Sequence, residues 1–144
     1  MKKKTTVDTV AGECIAVRLR MLNRAVTNIY DDALRPLGLK VSQMNLLVAA
    51  AKMGVARPAV VCEKLHLKVS TLSRNVERMK ARGWLETVDD VDGRAQPFRI
   101  TMEGKRLLNR AMSKWQAAQE RAKEILGEDG VKVLMESVNR LPRD

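Results

Sequence analysis

Residues 57–101 read RPAVVCEKLHLKVSTLSRNVERMKARGWLETVDDVDGRAQPFRIT. The first half predicts two short helices that meet across a tight turn near His66 and Leu67. Pro58 suits a first helical turn, where its missing N–H is not needed. In the second helix, Ser70 to Arg82, the residues Val69, Leu72, Val76 and Met79 fall on one face at helical spacing, and Gly83 supplies a C-terminal stop. Ser70, Thr71, Arg74 and Arg78 lie on the opposite face, and Ser70 or Thr71 is the expected cap. WLETV and PFRIT then predict two strands joined through DDVDGRAQ, whose Asp and Gly residues favour turning. Pro97 cannot donate to a ladder, so its strand is expected at an edge or to begin there.

Upstream, Ile15, Leu19, Leu22, Val26, Ile29 and Ala33 form one amphipathic stripe from about Gly12 to Leu34, ended by Pro36 and Gly38. Ser42 is the expected N-cap of a following helix with Met44, Leu47, Val48 and Ala51 on its buried face and Gly54 at its end. Downstream, Thr101 is placed to cap a long helix in which Leu108, Met112, Trp115, Gln119, Ala122 and Leu126 recur at coiled-coil-like spacing. After Gly127 a last helix carries Val131, Leu134, Met135, Val138 and Leu141. This order predicts a mainly α fold with a small β-hairpin wing (α+β). It is the order of a winged helix-turn-helix with helical extensions at both ends. Within a single chain of residues 1–144, the winged lobe is expected at 40–100, and the N- and C-terminal helices at 12–34 and 101–141 are expected to be dimerisation helices, because their apolar stripes exceed what a small winged core can cover.

The chain has 144 residues, 45% of them hydrophobic and 3% aromatic, which fits one domain with a modest core. It carries 27 Lys and Arg against 17 Asp and Glu, a net charge of +10. The net charge is +5 over residues 1–56, +4 over 57–106 and +1 over 107–144. A basic middle and a balanced end suit a polyanion at one and another protein at the other. No apolar run approaches the roughly 18 residues of a membrane span, and Met1 to Val10 lacks the apolar segment of a leader. A cytoplasmic protein without membrane contact is expected. Two cysteines, Cys14 and Cys62, outside any close Cys/His cluster, argue for reduced thiols.

The segment from Arg57 to Leu108 resembles the DNA-binding core of the MarR family of bacterial transcription regulators, and YDDALRPLGLKVSQMNLL before it resembles that family's linker into its second helix. STLSRNVERMKARG, then DGRA, then RITMEGKRLL make the specific combination, within a likeness that runs from about Cys14 to the C-terminus. The resemblance implies a homodimer whose terminal helices interlock, with two winged lobes reading a pseudo-palindromic operator in double-stranded DNA. The sequence departs from the family in having Lys68 and Val69 where Asp or Ser often starts the recognition helix. It also has an acidic approach to the wing tip, Asp89, Asp90 and Asp92.

On this reading Arg74 is the candidate for a bidentate contact to guanine, since its planar fork matches the O6 and N7 acceptors. Ser70, Thr71 and Ser73 reach phosphates or base edges near the helix start, and Arg78 sits over phosphate. Arg94, beside Gly93 and steadied by Asp92, is the candidate for a narrow minor groove. Arg18, Arg20 and Arg24 suggest a small anionic aromatic or fatty effector that releases a repressor, its body filling a crevice beside Met44 and Leu47.

Cys62 and His66 share a helix face but supply too little for a zinc site, so packing is the expected role. Cys14 has Arg18 four residues on, yet the aromatic partners of the family's oxidant sensors are absent, and a passive thiol is expected. No phosphate loop, nucleophile elbow or paired metal ligands are present, so neither an enzyme nor a cofactor is expected. The alternative reading is a winged-helix protein-interaction module whose basic face meets an acidic partner.

Overall fold

Phe98, fully buried, marks the centre of the chain, where a short hairpin meets the helices that frame it. The computed structural model describes residues 2–89, 93 and 95–143. Helices α1 (Thr6–Glu13) and α2 (Ile15–Leu34) are followed by one 3-10 turn, Arg35–Leu37. Next come α3 (Val41–Met53), α4 (Pro58–Leu65), α5 (Val69–Ala81), strands β1 (Leu85–Thr87) and β2 (Phe98–Ile100), and α6 (Met102–Asn139). Gly127, at φ 71° and ψ 166°, breaks α6 into a long arm and a shorter C-terminal helix. The mainly helical fold with a β-hairpin wing is therefore present.

The first helix begins earlier than its stripe suggested. Thr5 accepts from the Asp8 N–H while the Asp8 carboxylate accepts from the Thr5 N–H, a capping box that starts α1. These bonds hold the Asp8 carboxyl below its ordinary range, so the cap is intact at neutral pH and loosens as pH falls through that lowered value. The helix breaks at Cys14, whose extended ψ of 111° separates α1 from α2. Gly38, at φ 65°, ends the 3-10 turn, and the Arg82 guanidinium packs against it and over the Trp84 ring, 4.4 Å from the ring centroid. Tyr30 of α2 donates to Gln119 of α6, and burial raises its phenol pKa, so this bond persists across neutral pH.

Helix α3 is buried through Met44, Leu46, Leu47 and Ala50, not through the face that includes Val48 and Ala51, both of which are exposed. Ser42 does not cap it. The N-cap residue is Lys40, whose N–H donates to Gln43 at 3.0 Å, while the Val41 N–H donates to Asp31 at 2.8 Å. The hairpin pairs Leu85 with Ile100, Glu86 with Arg99 and Thr87 with Phe98. Ala56, between α3 and α4, adds an isolated bridge on the other side of β2, exchanging two backbone bonds with Phe98 at 2.8 and 3.0 Å. Pro97 precedes this central strand, where its missing N–H costs no ladder bond, and its carbonyl accepts from Val88.

Thr101 ties the wing to α6: its side chain accepts from Gly104 N–H and donates to the Gly83 carbonyl. Gly104 sits so close to β2 that an added Cβ would lie 2.4 Å from the Trp84 carbonyl oxygen and 2.7 Å from Ile100 Cγ1. The Gly104→Ala variant is expected to lose about 1–3 kcal/mol of stability, because a backbone oxygen cannot give way as a side-chain tip would. Urea unfolding monitored by circular dichroism checks this; a midpoint equal to the wild type's would show that α6 shifts away from the wing at no cost.

Candidate nucleic-acid interface

Helix α5 is seated from below and free above. Leu72 and Met79 are 1% and 0% exposed, and half-buried Val76 packs on the same core. That spacing leaves Ser70, Ser73, Arg74 and Arg78 on the open face, all exposed, with Thr71 half-buried at its margin. Among the described residues Arg74 and Arg78 have no ion-pair or hydrogen-bond partner, whereas Lys80 on the same helix pairs with Glu77 at 3.1 Å. Val69 departs from the expected buried face: at the first position of the helix it is 69% exposed.

The start of α5 corrects the sequence reading in a second way. Lys68 is the N-cap residue, no side chain caps the helix, and its first turn contains no acid, so Ser70 and Thr71 lie inside the helix and do not cap it. The open N–H groups and the positive end of the helix dipole are then left for an outside acceptor, at a turn whose N-cap residue is the cationic Lys68. Helix α4 leads into this point. Pro58 holds its first position as predicted, and His66, at φ 51°, turns the chain in the left-handed conformation that usually falls to glycine.

Arg94 and Asp92 lie outside the described residues, as does most of the wing tip. Gly93 has φ 60°, consistent with its predicted turn, and Asp89 is exposed. Across the wing's base Arg99 pairs with Glu86, Nε to Oε1 at 2.6 Å, which occupies that arginine locally.

The expected effector crevice is not assembled within the chain. Met44 and Leu47 are 7% and 0% exposed and belong to the hydrophobic core, so they line no open wall. Arg18, Arg20 and Arg24 are exposed along α2. Arg18 folds back onto the carbonyls of Cys14 and Ala11, at 3.0 and 3.3 Å, so its guanidinium serves the break between α1 and α2 and not the Cys14 thiol. Cys62 is half-buried against the core, in the packing role expected of it. Among the described residues no group of three or more His, Cys, Asp or Glu side chains is placed to hold a metal, and no helix is long and apolar enough to cross a membrane.

Residues 37–95 match the MarR family model. Over that stretch the winged helix-turn-helix of this chain is similar to the MarR family. The fold of the chain as a whole agrees. A MarR mutant from E. coli complexed with operator DNA is 18% identical with a TM-score of 0.80, over 93% of this chain and 98% of that one. BpsR of Bordetella bronchiseptica is 18% identical with a TM-score of 0.78, over 90% and 96%. CouR from Rhodococcus jostii RHA1, bound to p-coumaroyl-CoA, is 24% identical with a TM-score of 0.73, over 88% and 89%. At these identities the likeness is one of fold. Among curated proteins none matches the chain by sequence.

Two features of this winged helix-turn-helix escaped the sequence reading. The Ala56 bridge rests on a single residue, too short for any periodicity, and the role of Lys68 follows only from where the helix begins. The Ser70→Ala variant is expected to keep its stability within about 0.5 kcal/mol, since no cap is lost, while Leu72→Ala loses about 2–5 kcal/mol. Thermal unfolding of both checks the assignment; a loss of about 1 kcal/mol in Ser70→Ala would restore the hydroxyl as a cap.

Proposed function

We propose that the chain is a homodimeric, sequence-specific DNA-binding transcription regulator, a repressor that binds a pseudo-palindromic operator and is released by a small ligand. The observation that carries this reading is the open face of α5: two exposed arginines without partners among the described residues, on a helix fixed by Leu72 and Met79 and left uncapped at its N-terminus. In the proposed complex that face enters the major groove. Arg74 makes the bidentate base contact, Ser70, Thr71 and Ser73 meet phosphates or base edges at the helix start, and Arg78 meets phosphate. Arg94 of the wing tip is assigned to the minor groove on the sequence alone.

The dimer is supported by apolar surface that the chain leaves uncovered at both ends. Val7, Val10, Ile15, Leu19 and Met21 are 76%, 57%, 73%, 56% and 65% exposed, and Met112, Leu134 and Met135 of α6 are 46%, 44% and 57% exposed. Exposed apolar surface of this extent at both ends of the chain supports an interface there. Leu108 and Trp115, expected in that interface, pack instead against the chain's own core. Helices 12–34 and 101–141 are the proposed dimerisation elements and 40–100 the proposed reading lobe. Relatives of the same fold support the two partners: the E. coli protein is complexed with operator DNA, CouR with p-coumaroyl-CoA, and BpsR has its DNA binding regulated by 6-hydroxynicotinic acid.

The test uses a duplex selected from genomic fragments that the purified protein retains, against a random duplex of equal length. Arg74→Ala is expected to cost about 1–3 kcal/mol on the selected duplex and to relax preference at one base pair per half-site. Arg78→Ala is expected to weaken both duplexes alike and to lower the slope of log affinity against log salt by about 1. Equal losses on both duplexes in Arg74→Ala would move that residue to the phosphates. Failure to retain any duplex would favour a protein-interaction module with a basic face.

A further inference from the structure

Val69 is the most exposed large apolar side chain of the winged lobe among the described residues, at 69%. The others exposed between residues 40 and 100, Val48, Val55, Val60 and Leu65, lie between 36% and 44%. It occupies the first position of α5, directly after the N-cap Lys68, and Ser70, Ser73 and Arg74 around it are exposed as well. Val69 and Ser73 are one helical turn apart on the same edge of α5, where they line a small cleft with Ala95 and Gln96 of the wing. A β-branched side chain in a helix is held in one χ1 setting, so the Val69 methyls are presented rigidly. Capping does not account for a valine here, since no side chain caps α5 and its first turn contains no acid.

We propose that Val69 is a specificity-determining residue that reads thymine, its methyls packing against the C5 methyl of one thymine per half-site in the major groove. The proposal rests on the regulator reading, in which the N-terminal residues of α5 meet base edges. In the major groove every other recognition group is a hydrogen-bond donor or acceptor, so a side chain without a polar atom has the thymine methyl as its matched partner. A phosphate offers such a side chain nothing. Phosphate contact falls instead to Lys68 and the open N–H groups of the helix start, which set the register in which the next residue meets a base. Arg74 lies five residues further along α5. At a rise of about 1.5 Å per residue that is roughly 7.5 Å, or about two base-pair steps of about 3.4 Å. The thymine therefore lies within about three base pairs of the pair that Arg74 reads.

The test is a methyl scan of the selected duplex. Each thymidine is replaced in turn by 2′-deoxyuridine, which removes the C5 methyl and keeps the pairing edge, and affinity is read by fluorescence anisotropy for the full-length wild type and for Val69→Ser. In the wild type one thymine per half-site is expected to be sensitive, its replacement lowering affinity about three- to tenfold. Val69→Ser is expected to bind the unsubstituted duplex about tenfold more weakly and a random duplex within about twofold of the wild type. It is also expected to be indifferent to uracil at the sensitive position, so that the two changes couple. The substitution falls on an exposed side chain, and circular dichroism checks that the variant remains folded. Three results overturn the assignment of Val69 and leave the regulator reading standing: a selected duplex with no sensitive thymine, a uracil penalty as large in Val69→Ser as in the wild type, or equal weakening of Val69→Ser on both duplexes. A chain that retains no duplex removes both the assignment and the regulator reading.

Discussion

Burial of Leu72 and Met79 against the core around Phe98 is the constraint on which the outward chemistry depends. Fully burying side chains of this size is worth roughly 1.5–3 kcal/mol each, enough to hold α5 in one rotational setting. Once that setting is fixed, a helical repeat of 3.6 residues decides which side chains look outward, and Arg74 and Arg78 follow without further choice. Core residues therefore position the reading face without touching anything that it reads.

The wing and α6 extend the same logic. Ala56 and β1 flank β2, which buries Phe98 and Ile100, and Thr101 joins the end of β2 to the start of α6 through Gly83 and Gly104. Tyr30 and Gln119 join α2 to α6 further along. The lobe is thereby tied to the long helix on which the uncovered apolar surface lies. On the proposed reading, a change in how two chains pack along that surface alters the separation of two α5 helices, which is the quantity an operator senses.

Much of this was legible in the sequence because it rests on signals that local chemistry enforces. Pro58, Gly38, Gly54 and Thr101 mark helix ends through backbone geometry or capping, and each stands where it was expected. Leu72, Val76 and Met79 were legible through their spacing. Errors arose where a neighbour decided the outcome. Ser42 lost its capping role because Asp31, ten residues earlier, and Gln43 satisfy the N–H groups there. The buried face of α3 was misplaced because the helix is apolar nearly all round, so periodicity alone could not orient it, and Val69 was misread because it begins its helix beyond the core's reach. The effector crevice failed for a related reason: Met44 and Leu47 serve the core, and nothing in their spacing distinguishes a core from a pocket wall.

The most direct test of the central claim, that two α5 helices of a dimer read one DNA site, is a hydroxyl-radical footprint on the duplex that the protein selects. The account predicts two protected tracts of similar strength related by a dyad, with centres about 10–10.5 base pairs apart or a multiple of that spacing. A single unsymmetrical tract, or uniform weak protection that shows no preferred position, would contradict it.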